Sequence, residues 1–295
     1  MRSTLVHKND HWRGTFFAMA GNCEILIDVK QKTLAQAILN CVEQEVKRIE
    51  KKYSRYTADN IIYKINNTNG RPVNVDDETG RLLDYANQCY ELSDGAFDIT
   101  SGVLRKVWKF DGSEHIPTQN EINNILNLVG WQKIKWRSPE LQLLPGMQID
   151  FGGLGKEYAA DRAALLVSEQ FSNHVLINLG GDIAAAGPRQ DGRPWEIGLQ
   201  DPNKKNKTAM ANVKLHHGAV ATSGDLNRFL LKDGVRYTHI LNPNTGWPVK
   251  NAPRQVTVIA DTCTDAGMLS TFSILHGQGA EDFLKAQDVE YRIIY

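Results

Sequence analysis

No run of about 18 apolar residues occurs in this 295-residue chain, so no segment reads as a transmembrane helix. The opening segment, MRSTLVHKNDHWRG, is polar and has no apolar core of a secretory signal, which gives the expectation of a cytoplasmic protein. Cysteine is scarce: the four residues, at 23, 41, 89 and 263, form no CxxC and no close pair. Neither a disulfide framework nor a zinc site is expected, and the thiols are read as free. Net charge is missing as well, with 34 basic residues against 34 acidic ones. No global field then favours nucleic acid or an acidic membrane, and a charged ligand must be met by a local site. There is no internal repeat, low-complexity stretch or Pro/Gly-rich linker, which excludes a solenoid or propeller and leaves one domain over 1–295.

What is present mixes helix and strand signals. Glu24–Val29 (EILIDV) reads as a strand, and Ala35, Ile38, Leu39, Val42, Val46 and Ile49 recur at helical spacing within Leu34–Tyr53. Helices are expected at Asp77–Leu92, entered through Asp76, and at about Gln119–Leu128, where Thr118 is the N-cap candidate. Gln148–Phe151 reads as a short strand that breaks into glycines, followed by a helix over Lys156–Gln170. Further strands are expected at 174–178, 194–200, 211–215, 235–241 and 254–260, with a helix at about 265–275. Strands that are mostly non-parallel, interleaved with helices, give an α+β class: a helix-rich part over about 30–130 and a sheet-rich part over about 140–295. The basic run Asn203–Thr208 (NKKNKT) reads as solvated, and residues 1–15 carry no role.

Four stretches can carry chemistry. Asp150-Phe-Gly-Gly-Leu-Gly-Lys156 runs a strand through glycines into a helix, which exposes backbone amides at a helix N-terminus and places Lys156 beside them. Read alone it is an anion site or a structural turn, and it matches neither common nucleotide fingerprint. Asn178-Leu-Gly-Gly-Asp182 ends a strand in a glycine turn that Asp182 caps, unless it meets a ligand. Ala221-Thr-Ser-Gly-Asp225, with Thr222 and Ser223, precedes an isolated histidine in His239-Ile-Leu-Asn-Pro-Asn-Thr-Gly246, which suggests a polar pocket wall. Finally, the helix after Thr262 carries Asp265 and Thr271, hard oxygen donors of the kind Mg²⁺ takes, although their spacing does not stack them on one face.

In this order the segments resemble the FAD:protein FMN transferase family, also called the ApbE family. Its Gly-Ala-Phe-Asp-x-Thr motif stands at Gly95–Thr100, and its Asn-Leu-Gly-Gly-Asp, Ala-Thr-Ser-Gly-Asp and His-Ile-Leu-Asn-Pro-x-Thr-Gly motifs stand at 178–182, 221–225 and 239–246. Met19–Asn22 and Ser54–Tyr56 are looser matches, and Asp150–Asp161 matches the glycine-loop motif with Glu157 in place of a glycine. The resemblance implies a two-part, T-fold-like α+β architecture with FAD bound between the parts. The flavin would lie near Met19, Tyr56, Ala96, Phe97 and Asp98, with Asp150, Lys156, Asp182, Thr222 and Ser223 as further contacts. It also implies Mg²⁺ held by the Gly153 carbonyl and Thr271, with His239 and Lys156 as the catalytic pair. The implied reaction moves FMN from FAD to a threonine of an acceptor protein and releases AMP. One departure matters: Gly267 stands where the family has a metal-binding aspartate one turn before Thr271. Asp265, at the helix start, is the substitute ligand this reading offers, and Gly267→Asp is expected to strengthen metal binding. FAD pyrophosphatase activity, or flavin binding without catalysis, are the alternatives.

Overall fold

Side-chain alternation along the strands decides how this protein is layered. The computed structural model describes residues 3–110, 115–200, 209–225 and 228–295. Eight strands form the main sheet: β1 (Thr4–Lys8), β2 (His11–Ala18), β3 (Gly21–Ile27), β4 (Val175–Leu179), β5 (Asp182–Ala185), β6 (Gly218–Gly224), β7 (Gln255–Ala260) and β8 (Glu290–Ile294). Their spatial order is their chain order, and every neighbouring pair is antiparallel. The rest of the molecule is therefore a set of insertions between consecutive strands of one meander.

Because side chains alternate across a strand, Ile25, Ile27, Val175, Ile177, Ala219, Ala221, Val256 and Val258 fall on one face. Leu176, Ile183, Ala185 and Val220 fall on the other. The first face is covered by three helices: α1 (Lys32–Tyr53), α3 (Gly155–Gln170) and α4 (Cys263–Leu275); α2 (Asp77–Leu92) stands among the insertions. The stripe read on α1 is the buried stripe, from Ala35 to Ile49. Helix α3 is lined with Ala159, Ala160, Ala163 and Ala164, small residues that let α1 and α4 approach closely. The second face is covered by a hairpin, Trp195–Gln200 with Ala209–Leu215, through Trp195, Ile197, Leu199 and Leu215. A third cluster, with Val103, Leu104, Trp108, Ile122 and Leu230, joins the helix Gln119–Leu126 to the hairpin Phe229–Lys232/Val235–Thr238. Trp108 ties it to the 242–246 turn by donating to the Gly246 carbonyl at 2.7 Å.

Two expected strands change. Gln148–Phe151 joins no ladder, because Asn66 bonds both the amide and the carbonyl of Ile149, while the Asp150 amide donates to the Ile99 carbonyl at 2.9 Å. The strand expected at 235–241 stops at Thr238, which places His239 on the bend beyond it. Thr118 caps its helix in a full capping box with Glu121, as expected. The NKKNKT run lies outside the described residues. No helix is long and apolar enough to cross a membrane, among the described residues.

Candidate active site

The strand ends of β3 to β6, the start of α3, the segment 96–110 and the bend at His239 enclose a cleft of about 920 Å³. That volume stands near the top of the range for small-molecule sites, enough for a dinucleotide. Eleven of the residues singled out from sequence line it: Ala96, Phe97, Asp98, Asp150, Gly153, Lys156, Asp182, Thr222, Ser223, His239 and Thr271. Residues scattered along the chain are thus gathered at one place.

One wall is the N-terminus of α3. Its N-cap is Leu154, which offers no side-chain acceptor to the first amides. A helix start left uncapped, next to Gly152, Gly153 and Lys156, favours an anion. Across from it, the turn between β4 and β5 places Gly180 at φ +73° and Gly181 at φ +109°, the latter outside the region that side chains tolerate. Asn178 steadies this turn by accepting from the Gly181 amide at 2.8 Å. Asp182, just past the turn, does not act as its cap; its carboxyl receives the Thr222 amide and faces the cleft. Burial raises its pKa, and the Lys156 charge offsets part of that rise.

His239 forms another wall. Its Nδ1 lies 3.1 Å from the carbonyl of Arg228, which can only accept, so in the neutral ring Nδ1 carries the proton and Nε2 keeps its lone pair. Burial, aided by the Arg228 and Lys156 charges, holds the imidazole pKa below its ordinary value. The ring is therefore neutral and basic at physiological pH.

The hydroxyls form a third group. Ser223 Oγ lies 2.8 Å from Ser270 Oγ and 2.9 Å from Thr271 Oγ1, which links β6 to the middle of α4. Thr222 instead pairs with Thr257 across the sheet at 2.9 Å.

Other residues have local duties. Asp98 lines the cleft, but both its oxygens are engaged: Oδ1 accepts from the Thr100 amide and hydroxyl, and Oδ2 from the Trp131 amide at 2.9 Å. Asp150 pairs with Arg55 and accepts from the Gly152 amide at 2.9 Å, so it shapes the glycine loop. Met19 does not line the cleft; it sits in the β2–β3 hairpin turn at φ +53°, its amide bonded to Glu50 at 2.8 Å. Of that segment, Asn22 reaches the cleft. Tyr56 is 74% exposed and lies outside the lining, with the Arg55 guanidinium 4.9 Å from its ring centre.

Asp265 is not brought to the site. It accepts from its own cap partner Thr262 at 2.7 Å and from Tyr85 at 3.2 Å, and lies outside the cleft lining. The helix start is regular, so it does not swing toward Thr271. Among the described residues no three His, Cys, Asp or Glu side chains converge as a ready metal site.

Sequence reasoning missed Arg105, Trp108 and Phe110, which line the cleft from a segment with no motif of its own, and Arg55, which stands inside the looser Ser54–Tyr56 match. It also passed over Glu157, noted only as a departure. Glu157 lines the cleft with its side chain buried, and its Oε2 is the one buried polar side-chain atom without a partner among the described residues. Burial, then the charge of Asp182, pushes its pKa up.

Comparison with known proteins places this arrangement. A family model described as the ApbE family matches residues 19–293. A protein of Klebsiella pneumoniae named FAD:protein FMN transferase is 31% identical over 251 residues, covering 83% of this chain and 77% of the relative. One of that name from Vibrio cholerae is 27% identical over 242 residues, with 80% and 72% covered. Among solved structures, the ApbE protein of Thermotoga maritima superposes with a TM-score of 0.86 at 32% identity, covering 96% of this chain and 94% of that one. The flavin transferase ApbE of Vibrio cholerae gives 0.82 at 25% identity, with 99% and 94% covered. With the motifs gathered in one cleft and the match running over nearly its whole length, this chain belongs to the ApbE family.

Proposed function

We propose that this protein is an FAD:protein FMN transferase, moving FMN from FAD to a threonine hydroxyl of an acceptor protein with release of AMP. The observation that carries this reading is the meeting, in one cleft, of an uncapped Gly-rich helix start with Lys156 and a neutral His239 whose Nε2 is free. An anion site alone would suit any nucleotide. An anion site facing a base suits transfer of a phosphoryl-linked group to a hydroxyl.

In this reading the pyrophosphate of FAD lies against the amides of α3, where Lys156 offsets the charge that grows on the phosphoryl oxygens. His239 Nε2 takes the hydroxyl proton as the acceptor oxygen bonds to the FMN phosphorus. The bridging P–O bond breaks and AMP leaves with the electron pair. The carbonyl of Arg228 holds the ring by its Nδ1–H throughout. The flavin end is assigned to Ala96–Asp98, where Phe97 is braced against Phe272 with ring centres 5.8 Å apart. Exposed Tyr56 beside Arg55 offers a further stacking surface for the flat ring, and Met19 lies in the β2–β3 turn.

The cleft also fits a hard divalent cation, since Gly153, Thr271, Asp182 and Glu157 bring oxygen donors to its lining and one buried carboxylate oxygen has no partner among the described residues. The Gly153 carbonyl and Thr271 Oγ1 are the groups that would hold Mg²⁺. When bound, it would neutralise phosphoryl charge. The test is to incubate the protein with FAD and an acceptor domain, following flavin mass on the acceptor and AMP together. Equal appearance of both supports the reading; AMP without flavin on the acceptor would replace it with FAD hydrolysis.

A further inference from the structure

Glu157 and Gly267 occupy facing positions on α3 and α4. A Cβ placed on Gly267 would fall 2.5 Å from Glu157 Cγ, 3.1 Å from its Oε1 and 3.2 Å from its Cδ. Real side chains do not approach so closely, so Glu157 stands in the volume that a residue at 267 would otherwise fill. Gly267 is one helical turn before Thr271, on the same face of α4. The Glu157 carboxylate therefore reaches the place from which a side chain at 267 would flank the Thr271 hydroxyl.

Glu157 is 9% exposed, it lines the cleft, and its Oε2 has no hydrogen-bond partner among the described residues. A buried carboxylate left so is costly unless something positive completes it. Asp182 lines the same cleft and adds a second negative charge toward Glu157. Its position is also held firmly: Asp161, one turn further along α3, bonds the amides of Cys263 and Thr264 and so fixes α3 against α4.

We propose that Glu157 is a carboxylate ligand of a divalent-cation site in this cleft, reaching from α3 to the position a side chain at 267 would take, beside Thr271. Gly267 is then part of the same site, because only its missing side chain admits Glu157. Two facing acids and a hydroxyl suit a cation such as Mg²⁺ or Mn²⁺, which takes few protein ligands and completes its shell with water and phosphate oxygens. This deepens the proposed transfer reaction and rests on it only for the identity of the phosphate; the ligand assignment stands on the Glu157 geometry.

The test is Mn²⁺ binding, followed by the loss of the free-ion paramagnetic resonance signal, with and without FAD, on four proteins: wild type, Glu157→Gln, Gly267→Asp, and the double variant Glu157→Gly/Gly267→Asp. Wild type is expected to bind one Mn²⁺, more tightly with FAD. Glu157→Gln keeps the shape and is expected to weaken binding by at least about tenfold while still binding FAD. The double variant is expected to regain most of the affinity, with the acid moved to α4. Glu157→Gln binding Mn²⁺ as well as wild type would overturn the assignment, as would a wild type that binds none even with FAD. Thermal melts separate unfolding from ligand loss, since the isosteric Gln variant keeps the packing against Gly267. Glu157-dependent Mn²⁺ binding in a protein that transfers no flavin would sink the proposed reaction and leave this site standing. Flavin transfer that ignores Glu157 and Mn²⁺ would do the reverse.

Discussion

Asp161 caps helix α4 from a different helix: its Oδ2 accepts both the amide of Thr264, at 2.8 Å, and the hydroxyl of Thr264, at 2.6 Å. Its other oxygen takes the Cys263 amide at 2.7 Å. Three donors at the start of α4 are thereby satisfied by α3, the helix whose first turn faces the cleft. Asp161→Ala leaves them partly buried and without these partners. It is expected to lower unfolding free energy by about 1–3 kcal/mol in denaturant titrations. An unchanged midpoint would mean that the two helices are held by packing alone.

In the proposed reaction, His239 sets the pH dependence. Burial and the Arg228 charge, with a lesser part from Lys156, disfavour the imidazolium and outweigh the opposing hydrogen bond to the Arg228 carbonyl and the charge of Asp225. A base that must be neutral works above its pKa and fails below it. Transfer is therefore expected to rise with pH along an acid limb centred below the ordinary histidine value of about 6.5, and to be level at neutral pH. A limb centred above that value in a pH–rate profile contradicts the environment described for the ring. His239→Ala is expected to cut turnover by about 10²–10⁴-fold with FAD still bound.

Gly267→Asp separates what the sequence implies from what the fold imposes. Read on the motif alone, the substitution restores a metal ligand and strengthens binding. In the structure its Cβ meets Glu157 Cγ at 2.5 Å, and the new carboxylate would face Glu157 and Asp182. Gly267→Asp by itself is expected to cost about 1–3 kcal/mol of stability through overpacking. Glu157→Gly should recover most of that loss, a coupling a double-mutant cycle measures directly. Additive effects of the two changes would show that the residues do not share this space.

Arg55 pairs with Asp150, and both side chains are mostly buried at the cleft wall. Arg55→Leu strands the Asp150 carboxylate beside the glycine loop. The expected result is a stability loss of about 2 kcal/mol and weaker FAD binding, read by melting and by flavin fluorescence. Full retention of FAD affinity would limit Arg55 to a structural role.

Much of the fold was legible where local signals agreed. Helix Asp77–Leu92 carries an apolar stripe and enters through Asp76, whose side chain does accept from the Thr79 amide. The first hairpin was not, because β1 is largely exposed and its pattern of Thr4, His7 and Lys8 offers no buried alternation. Gln148–Phe151 read as a short strand, yet Asn66 and Ile99 take the partners that a ladder needs. The site's main motifs were readable as glycine loops and isolated polar residues. The meeting of Glu157 with Gly267 was not, since only the packing of α3 on α4 brings the two positions together. Asp265 looked available in sequence and is tied to Thr262 and Tyr85 in the fold.

Mixing the protein, FAD and Mg²⁺ with a threonine-bearing acceptor domain, then measuring AMP by chromatography and acceptor mass together, tests the transfer reaction as a whole. One FMN is expected to be added per AMP released, with neither formed when the acceptor threonine is changed to alanine. AMP released at the same rate without the acceptor, or no AMP at all from a protein that holds FAD, would contradict it.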